Sequence, residues 1–301
     1  MTHFHMLTGA EDLTTHPVVR RIRLADLKDA LARGIDDFME IPSHAVFLCL
    51  IYPILAFVIG WLALGYGLYG LMPLLYPLAA GFALLGPFAG VALYEISRQR
   101  EQGLPVNLTR AFDVFHSPSW DAIAVLGLIL MVIFVTWLAV AQTIYVITFG
   151  NAPVSSIREF TQRVFNTPEG WRLILLGNGI GFLFALLVLT ISVVSFPLLL
   201  DRDVGAIEAV WTSIRAVRAN PVIMAIWGLV VAAGLVLGAL LGLVGLSVSM
   251  PVLAHSTWHL YRKVVEPDLS PRREQPPPPK RQRHYVAQFP AALFAGEERR
   301  Q

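Results

Sequence analysis

The sequence predicts an all-α integral membrane bundle of six transmembrane helices, built as three repeats of an amphipathic surface helix followed by a transmembrane hairpin. Three observations lead there. The 301 residues are 55% hydrophobic and 15% charged, against about 25% charged in an ordinary soluble domain. Charge is also unevenly placed: of the 23 basic and 21 acidic residues, 12 fall in 1–42 and 13 in 263–301, leaving 19 for the 220 positions between. Finally, the middle block holds uncharged stretches matching the roughly 20 residues a helix needs to cross a bilayer core. This composition excludes a soluble multidomain enzyme, a disulfide-stapled secreted module and a disordered scaffold. The lone Cys49 lies in an apolar run and reads as a small hydrophobe.

The uncharged stretches run over 45–67, 73–94, 122–149 and 173–200, and 222–261 is long enough for two spans. Glycines at 242–245 place the turn between the last two. Helices are expected because each spanning segment must satisfy its own backbone polar groups. The first twenty residues lack a basic start followed by an apolar run, so they read as a flexible tail and the first span as its own insertion signal. Basic residues collect before the first span, in the 95–121 and 201–220 loops and after position 261. Only Arg158, Arg163 and Arg172 fall on the other side. Basic residues near short loops stay cytoplasmic, so both termini are expected inside a bacterial inner membrane.

Each odd-numbered span follows a similar segment. Before the first, Leu24, Leu27, Leu31, Ile35 and Phe38 recur at helical spacing and Pro42 ends the pattern. Before the third, Leu108, Phe112 and Phe115 align ahead of Pro118; before the fifth, Ile207, Val210, Ile214 and Val217 align ahead of Pro221. Apolar stripes at this period predict amphipathic helices, with the prolines as stops. The 150–172 insertion holds a further surface helix over 155–165. The folded domain is placed at 21–265, between the 1–20 tail and a disordered proline- and charge-rich tail over 266–301.

No ionisable side chain is expected at mid-membrane, where it would mark ion or proton coupling. His255 and His259 stand one turn apart near the end of the last span, a spacing that suits a metal on one helix face. The favoured reading makes them, with Trp258 and Tyr261, an interfacial anchor belt. Asp36, Asp37 and Glu40 read as the solvated face of the first surface helix. Deeper in the membrane, Gln142 and Asn178 each need a partner, which is each other or backbone and water. Gly86 and Gly90, Gly177 and Gly181, and Gly234, Gly238 and Gly242 put bare faces on three spans, the signature of close helix packing.

The segment 30–38 (Ala30-Leu-Ala-Arg-Gly-Ile-Asp-Asp-Phe38), with Pro42 and the apolar run after it, resembles the opening of an uncharacterised bacterial inner-membrane family known as a domain of unknown function. The resemblance reaches to about Val265 and includes 196–202 (Phe-Pro-Leu-Leu-Leu-Asp-Arg). It implies a multi-pass membrane protein, with labels on some members pointing to respiratory oxidase subunits, and it assigns no catalytic residue. No nucleotide loop, nucleophile elbow or HExxH is present, so enzymology, a cofactor and nucleic acid are not expected. The expected role is a non-catalytic accessory, assembly or lipid-organising component, with the lipid bilayer and another membrane protein or a respiratory complex as partners. The alternative is a small-solute transporter or permease with a site near Gln142 and Asn178.

Overall fold

A computed structural model describes residues 16–40, 50, 54, 57–58, 61, 72–104, 106, 113–117, 119–151, 154, 156–241 and 244–267. Most of the expected first span, the C-terminal tail beyond 267, Leu108, Phe112 and Gly242 lie outside the described residues.

The described chain is α-helical. Helix α1 (Leu24–Glu40) starts where Asp26 reaches back to accept the Arg23 backbone N–H at 2.8 Å, half of a capping box. The next helical stretch, Met72–Glu101, is interrupted. Its pieces are α2 (Met72–Phe82), a 3₁₀ turn over Ala83–Leu85, α3 (Gly86–Ala89) and α4 (Val91–Glu101). Pro87 accounts for the 3₁₀ turn, since its ring cannot tolerate a regular α-turn onto the carbonyl four residues back. Helix α5 (Trp120–Phe149) runs 30 residues and ends at Gly150, whose φ of +75° suits glycine.

Helix α6 (Ile157–Asn166) and α7 (Pro168–Ser192) follow, with hydroxyl caps at Ser156 and Thr167 and a proline at the first position of α7. The chain breaks at Val193 and Val194 and resumes as α8 (Ser195–Asp201). Helices α9 (Ala206–Ala219), α10 (Pro221–Leu240) and α11 (Leu246–Val264) complete it. The gap between α10 and α11 is the turn read from the glycines.

Among the described residues, four stretches are long and apolar enough to cross a membrane: Met72–Glu101, Trp120–Phe149, Pro168–Asp201 and Pro221–Leu240. Their outward faces are apolar, with Leu128 and Val132 on α5, Leu175 and Phe182 on α7, and Leu229 and Leu237 on α10 all exposed. In water such a surface would drive aggregation; against lipid chains it is neutral.

The α7–α8 break is satisfied from α9. Ser213 Oγ donates to the Thr190 carbonyl at 2.8 Å and accepts the Val194 N–H at 3.3 Å. Ser195 Oγ donates to the carbonyls of Ile191 and Ala209. Buried Phe196, Leu198 and Leu199 then carry α8 through the core. At the chain ends, Val19 and Val265 form an antiparallel bridge, and buried Asn220 accepts the Ile22 N–H and donates to the Arg20 carbonyl.

Both well-described amphipathic helices bury a face rotated from the predicted stripe, which keeps Leu27 and Phe38 buried on α1 and leaves Val210, Ile214 and Val217 half-buried on α9. In α1 the buried residues are Leu27, Ala30, Gly34, Asp37 and Phe38, while Leu24 and Ile35 are exposed. In α9 they are Ala206, Ala209, Thr212, Ser213 and Ala216, while Ile207 is exposed. The reason is close approach. A Cβ at Gly34 would stand 2.5 Å from the Ser256 backbone nitrogen, so only a small-residue face fits there. Ahead of α5, the described part of the expected surface helix is a 3₁₀ turn over Asp113–His116, with Phe115 packed edge-on against Trp120.

Candidate functional site: a buried polar cluster and an apolar cavity

Because α1 packs along α11 through its small face, Asp37 is carried into the interior. It is 6% exposed and stands among side chains from α4 and α11. Its Oδ1 accepts from Arg100 Nη1 at 2.6 Å. Its Oδ2 accepts from the Ser97 hydroxyl at 2.5 Å and from His259 Nε2–H at 2.8 Å. The Ser97 proton is thereby committed, so the 2.7 Å contact between Ser97 Oγ and His255 Nδ1 requires His255 Nδ1–H as donor.

Four donors thus converge, directly or through Ser97, on one carboxylate. Burial pushes the Asp37 carboxyl up, but hydrogen bonds from His259 and Ser97 and the field of the two histidines outweigh it and hold it below its ordinary value. A solvated acidic face was expected here; for Asp37 the structure corrects that, while Asp36 and Glu40 are exposed as read.

The expected anchor belt is also corrected. His255, Trp258, His259 and Tyr261 are all buried and point into the bundle. Trp258 Nε1 donates to Glu101, Tyr261 OH donates to Asp201 at 2.7 Å, and Arg262 bridges both carboxylates. Helix α11 therefore locks the end of α4 to the end of α8. Among the described residues there is no group of three His, Cys, Asp or Glu arranged to hold a metal ion. The ring nitrogens that face the cluster are spent on Ser97 and Asp37.

The second feature lies at the other end of the Met72–Glu101 stretch. The starts of α2 and α7, the end of α5 and the whole of α6 enclose a cavity of about 370 Å³. Tyr76, Trp137, Tyr145, Phe160, Phe165 and Asn178 contribute to its wall. Asn178 accepts from Tyr76 OH at 2.6 Å and donates to its own Ile174 carbonyl. Gln142 is exposed, and no hydrogen bond joins it to Asn178. Trp137 Nε1 donates to the Pro77 carbonyl at 2.8 Å.

The glycines divide between packing and open space. Gly181 packs against Trp137, Gly234 against Leu253, and Gly238 against Leu246 and Ser249. Gly86 makes an ordinary contact with Met250, and the side chain nearest Gly90 is Tyr94 of the adjoining helix α4. A Cβ at Gly177 would meet nothing, and this residue lines the cavity instead. The tightest glycines include two that pattern reading passed over: Gly34 on Ser256 and Gly127 on Phe88. Asp37 was missed for a related reason. It lies three residues after Gly34 on the small face, and that spacing was the signal available.

Residues 75–201 match the family described as Predicted integral membrane protein (DUF2189). The matched stretch contains most of α2 and runs to the end of α8, so the cavity's walls from α2, α5, α6 and α7 fall inside it, whereas α1 and α11 lie outside. Over this stretch the chain is similar to a family of integral membrane proteins of unknown function, and it is a multi-pass helical membrane protein. No curated protein and no solved structure matches it.

Proposed function

We propose that this DUF2189-related membrane protein is a non-catalytic, lipid-organising component of the bacterial inner membrane, with six spans and both termini cytoplasmic. The observation that carries the reading is the shared habit of α1 and α9. Each turns small residues to the bundle, joined on α1 by Leu27 and Phe38, and leaves other bulky apolar residues outward: Leu24, Ile35 and Met39 on α1, Ile207 and Trp211 on α9. Exposed basic residues flank them, Arg21, Arg23 and Arg33 around the first and Arg218 on the second. A helix of that kind lies in the headgroup plane, its apolar side in the acyl boundary and its cations on anionic lipid. The like behaviour of α1 and α9 also supports a repeated unit of surface helix plus hairpin.

The α1 contacts give this component an adaptor's shape. An interfacial helix is joined to the spans by buried ion pairs, so a partner or lipid that engages α1 also loads α4 and α11. The alternative, a small-solute permease with a site near Gln142 and Asn178, draws on the cavity that Asn178 lines. Its predominantly apolar wall suits lipid better than a polar solute.

Purification in mild detergent with identification of co-purifying lipids and proteins tests the reading. Anionic phospholipid, or a membrane complex, should be retained and should fall when Leu24, Ile35 and Met39 are replaced together by Gln. Retention unchanged by that replacement, or solute uptake into proteoliposomes, would overturn it.

A further inference from the structure

The cavity between α2, α5, α6 and α7 has the chemistry of a lipid site. Its volume, about 370 Å³, falls within the range of small-ligand sites. Its wall carries no acidic or basic side chain, so a charged group would enter without compensation. The polar groups on the wall are largely spent internally: Tyr76 on Asn178, Asn178 on Ile174, Trp137 on Pro77, and Thr161 on Ile157. What remains for an occupant is a hydrocarbon surface.

The cavity opens on the outer wall of the bundle, where the lining residues Tyr76 and Phe165 are 63% and 57% exposed. Access is therefore from the bilayer. Tyr76 lies about 6 Å along α2 from Met72, and Asn178 lies about 7.5 Å along α7 from Leu173, the first residue after the last charge, a depth that acyl chains occupy. At the rim the Arg163 guanidinium stands 4.8 Å above the Phe149 ring, which packs on the wall residue Tyr145. Arg158, Arg163 and Arg172 outnumber Glu159 and Glu169 at this end, leaving net positive charge where a phosphate would sit.

We propose that this cavity holds one acyl chain of an anionic phospholipid, with the phosphate at Arg163. Gly177 is the feature that keeps it open. A bare glycine in a helix is destabilising relative to alanine, and here no neighbouring helix uses the missing side chain. The site stands apart from the role proposed for α1 and α9, because it rests on different helices at the opposite end of the Met72–Glu101 stretch, and cross-links mapped to cavity residues distinguish it from lipid held at α1.

The test uses the full chain reconstituted in vesicles of phosphatidylcholine containing phosphatidylglycerol with a photoactivatable acyl chain. Cross-links are mapped by mass spectrometry. Labelling of the buried wall residues Trp137 and Tyr145 should saturate with probe fraction, while labelling of lipid-exposed Leu229 and Leu237 should rise linearly. Photoactivatable phosphatidylcholine should label the cavity about fivefold less, the factor that one basic residue near an anionic headgroup is worth, and Arg163→Gln should erase that preference. Gly177→Leu should reduce cavity labelling several-fold and leave labelling at Leu237 unchanged. Linear labelling of the cavity in the unaltered protein, or cavity labelling indifferent to Gly177→Leu, would overturn the proposal. Equal labelling by the two headgroups would overturn the anionic assignment.

Discussion

The Asp37 carboxylate and the His259 imidazole, 222 positions apart in the chain, meet at 2.8 Å inside the bundle. The carboxylate comes from a helix that sequence pattern lays on the membrane surface, and the imidazole from a helix in the bundle. Their contact makes α1 part of the core rather than an appendage.

Asp37→Ala should therefore destabilise the fold strongly. It leaves buried Ser97 and His259 and half-buried Arg100 without the Asp37 carboxylate, and breaking a buried pair from one side costs about 3–5 kcal/mol. Ser97→Ala should cost less, since Arg100 and His259 keep the carboxylate. A double-mutant cycle of Asp37 and His259, read by denaturant unfolding in detergent, should give a coupling of about 0.5–3 kcal/mol. Zero coupling would deny the contact.

The same carboxylate sets a pH dependence. Its pKa in the folded state lies below its ordinary value, hydrogen bonds from His259 and Ser97 outweighing the upward push of burial. Its stabilisation is therefore present above the unfolded value, about 3.9, and is lost as pH falls through the folded value. Arg100 from α4, His255 and His259 from α11 and nearby Glu40 surround it in both the parent and Asp37→Asn, so the difference between them isolates Asp37. On acidification from neutral to about pH 3 the parent should lose more stability than the variant. Parallel curves would remove Asp37 as the cause.

Gly34 and Ala32 offer a matched pair on α1. Gly34→Leu collides with the Ser256 backbone and should cost at least the 1–3 kcal/mol of overpacking, releasing α1 to trypsin at Arg21, Arg23 and Arg33. Ala32 is exposed, so Ala32→Leu should leave the digestion pattern as it is. Equal protection in both variants would mean that α1 is not held at Gly34.

Gly238→Leu should destabilise the α10–α11 hairpin, because a Cβ there already crowds Ser249 and Leu246. A melting temperature in detergent equal to the parent's would contradict tight packing at this position.

Ser213→Ala should cost about 1–3 kcal/mol, the desolvation of buried backbone groups left without partners. The Val194 N–H and the Thr190 carbonyl both depend on that hydroxyl. Ser213→Thr keeps the hydroxyl and should recover part of the loss. No difference between the two variants would argue that water serves the break.

Much of the architecture was legible because it follows from local rules. The expected spans over 73–94, 122–149 and 173–200 correspond to Met72–Glu101, Trp120–Phe149 and Pro168–Asp201. The break between α10 and α11 and the helix α6 also fall where the residues place them. Hydrophobic length, proline stops and hydroxyl caps act within a few residues, and a reader of the chain sees all of them. The functional sites were less legible. His255 and His259 stood out by spacing, but their partners Asp37 and Ser97 carried no common motif. Asn178 stood out as an intramembrane amide, yet its partner is Tyr76 rather than Gln142.

By itself, the sequence determined that this chain is a helical membrane protein, where four long apolar helices run, and that an amphipathic helix precedes α10. Tertiary structure alone decided which face of the amphipathic helices is buried. Periodicity ranks faces by hydrophobicity, but helix contact is governed by how closely two backbones can approach. At Gly34 against Ser256 only a bare face fits. That choice turns Asp37 inward, and with it the buried cluster that joins α1 to α4 and α11.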